Sequence, residues 1–93
     1  MAELIGPEFR ELMHEAHQTE FDDMEPERAD MARQLGLLFA ANQEFAHWAY
    51  LISHITFTPA DTPGTPPQAT VTFVHGERVI QYKTDDQGEL VLT

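Results

Sequence analysis

The residues best suited to chemistry are two Glu-x-x-His segments, Glu11 to His14 and Glu44 to His47. In helical bundles, pairs of this kind that project inward, together with further glutamates, bind two iron or manganese ions. Both segments lie in stretches with helical periodicity, where each residue advances by about 100°. This geometry places them opposite the apolar stripe of their own helices, so we expect them to face solvent and treat a dimetal site as a secondary hypothesis.

A looser metal hypothesis pairs His14 and His17, three residues apart on the first helix, with Glu11 or Glu20; His47 and His54 share the polar strip of the second helix. The alternative metal ligands are His14, His17, Glu44 and His47. A stable zinc site needs three or four ligands, and no spacing in the sequence fixes a third. We therefore expect no cofactor and keep metal binding as the alternative function.

Hydrolytic chemistry has little support in this sequence. Ser53 is its single serine, and it lies outside a Gly-x-Ser-x-Gly turn. His54 follows it directly, but neighbouring helical residues point in different directions and do not form a nucleophile–base pair. The glycines are scattered and form no phosphate-binding loop. We expect that the chain is not an enzyme.

The charge is strongly negative and unevenly distributed. The 93 residues carry a net charge of −11, and residues 1–30 contain ten acids against two bases, Arg10 and Arg28. Such a balance disfavours direct binding of nucleic acid or an anionic membrane, and it favours a basic protein partner. It also keeps a small protein in solution, which is the simpler explanation of the charge.

The candidate partner-binding residues lie in the acidic first third. They are Glu11, Glu15, Glu20, Phe21, Asp22, Asp23 and Glu25. Acids mixed with apolar anchors are typical of segments that dock on a basic protein groove. Alternatively, Phe21 and Met24 staple two helices together from a capping loop.

Two helices are predicted in the first half of the chain. Pro7 begins the first, over residues 7–20, and Pro26 begins the second, over residues 26–53. Asn42 interrupts the apolar series of the second helix; it either sets the register of a dimer or is a hydrogen-bonded polar core residue. The flanks of this helix are also apolar, which favours a homodimer, through this helix or through a sheet edge. The predicted dimer-interface residues are Leu37, Phe39, Tyr50 and Leu51.

The second half of the chain has the alternation of antiparallel strands. A short strand near residues 55–58 precedes a proline-rich loop at 59–67, and further strands follow to residue 93. One sheet face is predicted to pack on the second helix, and it comprises Val71, Phe73, Ile80, Tyr82, Leu90 and Leu92. The predicted fold is α+β, a single domain over 1–93 in which a helical hairpin (1–55) packs on one face of a three- to four-stranded antiparallel meander (56–93).

The remaining signals concern location. The sequence has no cysteine, which fits a reducing compartment. Its start lacks a basic and apolar leader, and no apolar run approaches the roughly 20 residues of a membrane span. Together these observations predict a soluble, cytoplasmic interaction module of the inhibitor, immunity or adaptor type.

Overall fold

The computed structural model describes residues 2–62 and 64–93, so Met1 and, in the predicted proline-rich loop, Pro63 lie outside the described residues. The strands are β1 (Ala2–Ile5), β2 (His54–Thr58), β3 (Gln68–His75), β4 (Arg78–Thr84) and β5 (Leu90–Leu92). The helices are α1 (Gly6–Gln18), α2 (Pro26–Ala41) and α3 (Gln43–Ala46), with 3₁₀ turns at Phe21–Asp23 and Ala49–Leu51. The strands form one antiparallel sheet in the order β1-β2-β3-β4-β5. The α+β class is confirmed, with five strands rather than three or four.

Strand β1 is the element that the sequence analysis did not predict. It pairs antiparallel with β2, and Leu4 is buried opposite Ile55. Directly after it, the N–H of Gly6 donates to the carbonyl of Ser53 at 2.8 Å. A Cβ added at Gly6 would lie 2.5 Å from the carbonyl oxygen of Ile52, so only glycine fits where the strand passes into α1.

The prediction of one continuous helix over residues 26–53 is wrong, because α2 ends at Ala41. Asn42 leaves the helical region with φ −131° and ψ 59°. Its Nδ2 donates to the carbonyls of Leu38 (2.9 Å) and Gly88 (2.8 Å), and its Oδ1 accepts from the N–H of Leu90 (2.7 Å). A side-chain amide that offers the backbone such partners competes with helix continuation. Of the two roles predicted for Asn42, setting the register of a dimer or serving as a hydrogen-bonded polar core residue, the structure shows the second.

The core lies between the helices and one face of the sheet. Its most buried side chains include Phe9, Leu12, Leu35, Leu38, Ile55 and Val71. The strand register places all six predicted apolar residues of β3, β4 and β5 on this face. However, Ile80 and Leu92 remain 39% and 66% exposed. Ile80 faces the short α3 and the following 3₁₀ turn instead of a long helix, and Leu92 lies on the edge strand β5.

Across residues 2–62 and 64–93, the helices are too short or too polar for any of them to traverse a lipid bilayer.

Candidate functional site

Two surfaces, one at each end of α2, have the composition of binding sites. The first is an acidic surface formed by α1, the 3₁₀ turn at Phe21–Asp23 and the residues that flank this turn. It comprises Glu11, Glu20, Asp22, Asp23 and Glu25, all of them exposed. None of these carboxylates has a cationic partner within 4.0 Å among the residues that the structure describes. Five of the seven predicted partner-binding residues are therefore exposed and form no ion pair within the described residues, although the charges of Glu11 and Glu25 help to raise the pKa of Arg28.

Glu15, a sixth predicted partner-binding residue, has a structural role as well. Both Nε and Nη2 of Arg28 donate to Glu15 Oε2, at 2.9 and 2.7 Å, which ties α1 to α2. This hydrogen bond, reinforced by the negative charge of the carboxylate, raises the pKa of the Arg28 guanidinium. Glu15 is half-buried.

The two apolar residues of the acidic segment have different environments. Met24 is 6% exposed and belongs to the core, whereas Phe21 is 41% exposed. The guanidinium of Arg33 lies 5.4 Å from the centroid of the Phe21 ring, in the range of a cation–π contact. Met24 thus fastens the segment to the core, while Phe21 leaves an aromatic side chain at the surface among the acids.

The four predicted dimer-interface residues do not form one continuous exposed patch. Phe39 is only 9% exposed and its ring centroid lies 5.7 Å from that of Phe9 in the chain's own core. Leu37 is half-buried. Tyr50 and Leu51 are 65% and 48% exposed, and they line different depressions of the surface.

The second surface is a groove of about 470 Å³ between α3 with its following 3₁₀ turn and the sheet, which we call the apolar groove. It is lined by Glu44, Phe45, Trp48, Leu51, Phe73, Ile80, Tyr82 and Leu90. An aromatic cluster forms part of its lining, because the ring of Phe45 lies 4.8 Å from that of Tyr82 in a T-shaped contact. The Phe73 ring is 6.0 Å from Tyr82 and 6.5 Å from Phe45. Sequence reasoning missed this groove because it extended the second helix through residues 42–53.

The candidate metal ligands do not converge within the part of the chain that the structure describes. No group of three or more His, Asp or Glu side chains suited to a metal ion occurs within residues 2–62 and 64–93. The alternative ligands His14, His17, Glu44 and His47 are exposed. His54, on β2, instead contacts Glu3 on β1, with 2.6 Å between Nε2 and Oε1.

Comparisons with models of known protein families, with curated proteins and with solved structures give no match for this chain.

Proposed function

We propose that the protein is a non-enzymatic interaction module of the inhibitor, immunity or adaptor type, and that its acidic surface binds a basic surface of another protein. The observation that supports this most directly is that Glu11, Glu20, Asp22, Asp23 and Glu25 are exposed and form no ion pair with any residue that the structure describes. Carboxylates in such an arrangement raise the association rate with a positively charged partner and restrict the choice of partner.

The cations of the helical half are engaged within the chain, which leaves this field negative. Arg28 binds Glu15, and Arg33 lies 3.6 Å from Asp30. Arg10 donates to the carbonyls of Tyr50 and Ile52, at 3.1 and 3.2 Å. The two other basic residues, Arg78 and Lys83, are on β4 in the sheet. The charge is therefore segregated, with an excess of acids around the start of α2.

Phe21 supplies an apolar anchor for the same contact. Its ring is partly exposed between acidic neighbours and already lies beside one guanidinium, that of Arg33. Aromatic side chains at the centre of an interface often contribute a large share of the binding energy, while surrounding charges set rate and specificity. In this proposal, Phe21 becomes buried against the partner and the acids surround it.

The proposal is tested by affinity capture at low and high salt with two charge-matched variants. One carries Glu20→Gln, Asp22→Asn and Asp23→Asn; the other carries Asp61→Asn, Glu77→Gln and Asp86→Asn, three exposed acids elsewhere. We expect a partner that dissociates with added salt and is lost from the first variant but retained by the second. Salt-insensitive capture, or equal loss from both variants, would contradict the proposal.

A homodimer, a cytoplasmic location and the absence of direct nucleic-acid binding remain predictions that accompany this function. Burial of Phe39 leaves Tyr50 and Leu51 as the accessible members of the predicted dimer interface. Native mass measurement of the wild type and of a Tyr50→Ser variant tests the dimer, which we expect the variant to lose; Tyr50 lines a depression separate from the groove that Leu51 lines. A wild type that is monomeric at high concentration would refute it.

A further inference from the structure

Several large apolar side chains of the apolar groove are exposed to solvent. Trp48, Leu51 and Ile80 line it and are 55%, 48% and 39% exposed. Its volume of about 470 Å³ lies within the range of roughly 300–1,000 Å³ that is typical of ligand-binding clefts. Large apolar side chains that remain exposed around one concavity are characteristic of a binding surface.

Hydrogen bonds hold the walls of this groove in place, and those on the Asn42 side are buried. Asn42 precedes α3, which carries Glu44 and Phe45, and its side chain binds Gly88 and Leu90 at the start of β5. The amide is 9% exposed, so water competes little for these bonds. On the other side, Arg10 binds the carbonyls of Tyr50 and Ile52, which flank Leu51. A groove fixed in this way binds a ligand with little loss of conformational entropy.

The charge around the groove identifies the chemistry of the occupant. A neighbouring depression of about 370 Å³ shares Glu44, Phe45 and Leu90 with the groove and adds Glu89. Among the described residues that line the two depressions, none is basic. Carboxylates beside aromatic faces form a favourable environment for an ammonium or guanidinium group, through both ion pairing and cation–π contact.

A second copy of the chain is a poorer occupant than a cationic segment. Each copy carries a net charge of −11, and face-to-face contact through the groove would bring two sets of Glu44 and Glu89 together. Like charges opposed at an interface reduce binding. A segment with lysine or arginine between apolar residues instead neutralises both carboxylates while its apolar side chains cover Trp48 and Ile80.

We propose that the apolar groove binds a peptide segment of a partner protein in which apolar side chains alternate with lysine or arginine. The apolar side chains pack between Trp48 and Ile80, and the cation lies at Glu44. This site is separate from the acidic segment Glu20 to Glu25, because that segment directly precedes α2, the groove residues Glu44 to Leu51 follow it, and α2 has 16 residues, a length of about 24 Å. The inference therefore goes beyond the function proposed above.

Trp48 is the chain's single tryptophan, so its fluorescence reports on the groove directly. The probe is a synthetic twelve-residue peptide of leucine and lysine; comparison peptides replace lysine with glutamate or leucine with serine. We expect a saturable blue shift of the emission with the leucine–lysine peptide only. Glu44→Gln should weaken this binding about three- to fivefold, as for loss of one partly exposed ion pair. Ile80→Ser should weaken it further by removing apolar contact.

The control variant is Asp61→Asn, which also removes one exposed carboxylate but lies outside both the groove and the acidic surface. It should leave the affinity of the peptide for the groove unchanged. Equal weakening by Asp61→Asn and Glu44→Gln would overturn the proposal, because general attraction to an acidic chain would then explain the binding. Equal binding of the leucine–glutamate peptide, or no shift with any peptide, would also overturn it. A blue shift that depends on protein concentration without peptide would overturn it in favour of a second copy. Circular dichroism of each variant confirms that the comparison is made between folded proteins.

Discussion

At its N-terminal end, α2 meets a turn whose charged side chains lie in solvent, and at its C-terminal end it meets a buried amide and an exposed apolar groove. The first end is attached to the core mainly through Met24 and to α1 through the Glu15–Arg28 pair. The second end is attached through the three hydrogen bonds of Asn42. The polar side chains at the N-terminal end of α2 are thus exposed to solvent, whereas the amide at its C-terminal end is buried.

At the N-terminal end of α2, the residues proposed to bind a partner are not the ones that stabilise the fold. At the C-terminal end, the same contacts stabilise the fold and shape the groove. The carboxylates of the acidic surface contact no cation among the described residues, so their charge can be removed with little effect on the fold. The groove, in contrast, is formed by residues on elements that Asn42 fastens together. A substitution that disturbs those elements changes the free energy of unfolding and the shape of the groove at the same time.

The largest expected effect is that of Asn42→Ala at the groove end. It removes the partners of the Gly88 carbonyl and the Leu90 N–H, and an unsatisfied buried backbone group costs roughly 1–3 kcal/mol. We expect the free energy of unfolding to fall by about 3 kcal/mol. Urea denaturation measures this change, with the exposed neighbour Gln43→Ala as the control. Equal stability of the two variants would show that the amide does not hold α3 to β5.

The next largest effect concerns Gly6, which lies beside the chain segment that carries Leu51. In Gly6→Ala, the new Cβ would lie 2.5 Å from the backbone oxygen of Ile52 and 3.0 Å from the Arg10 guanidinium. The backbone must shift to relieve this overlap, at an expected loss of about 2 kcal/mol of stability.

Gly36→Ala is the matched control for that substitution. Gly36 lies exposed inside α2, and an added Cβ there meets nothing within 4 Å. Alanine favours the helix by about 0.5–1 kcal/mol, so this variant should be more stable than the wild type. The midpoint temperature of thermal denaturation should therefore fall in Gly6→Ala and rise in Gly36→Ala. A change of the same sign in both variants would contradict the contact at Ile52.

Local periodicity was sufficient to predict the elements whose signals lie within one segment. Pro7 and Pro26 marked the helix starts within a residue of those observed, and alternation predicted the apolar face of β3 and β4. The end of α2 was not predictable in this way, because the apolar spacing continues past Asn42. The partners that end the helix, Gly88 and Leu90, are 46 and 48 residues away in sequence.

The candidate site was predictable to a similar extent. Composition predicted that acids would be exposed around the 3₁₀ turn at Phe21–Asp23, since carboxylates without partners stay in solvent. It did not identify Glu15 as the member neutralised by Arg28, because that pairing depends on how α1 packs against α2. The groove is formed by the end of α2 at Asn42 and by the pairing of β4 with β5. Both depend on contacts between residues far apart in sequence, so no local pattern indicated the groove.

A smaller effect is expected for the Glu15–Arg28 pair, whose side chains are about one-third exposed (34% and 33%). A double-mutant cycle with Glu15→Gln and Arg28→Gln should give a coupling far smaller than the Asn42→Ala effect, and added salt should reduce it. Because the pKa of Arg28 is raised, its contribution is complete below the ordinary arginine range and is lost only above it. Arg28 therefore stays charged around neutral pH, and its titration should not change the coupling energy there. A coupling energy that high salt does not reduce would contradict this account.

The smallest effect on stability is expected at the acidic surface itself. The variant with Glu20→Gln, Asp22→Asn and Asp23→Asn should unfold within about 0.5 kcal/mol of the wild type, as is usual for exposed side chains without partners. The charge-matched variant with Asp61→Asn, Glu77→Gln and Asp86→Asn reports the effect of a smaller net negative charge alone, because the repulsion between carboxylates is reduced equally in both triple variants. A loss of several kcal/mol confined to the first variant would mean that these acids cap or hold the turn. The contrast between the two ends of α2 would then fail, because both ends would depend on polar contacts for the fold.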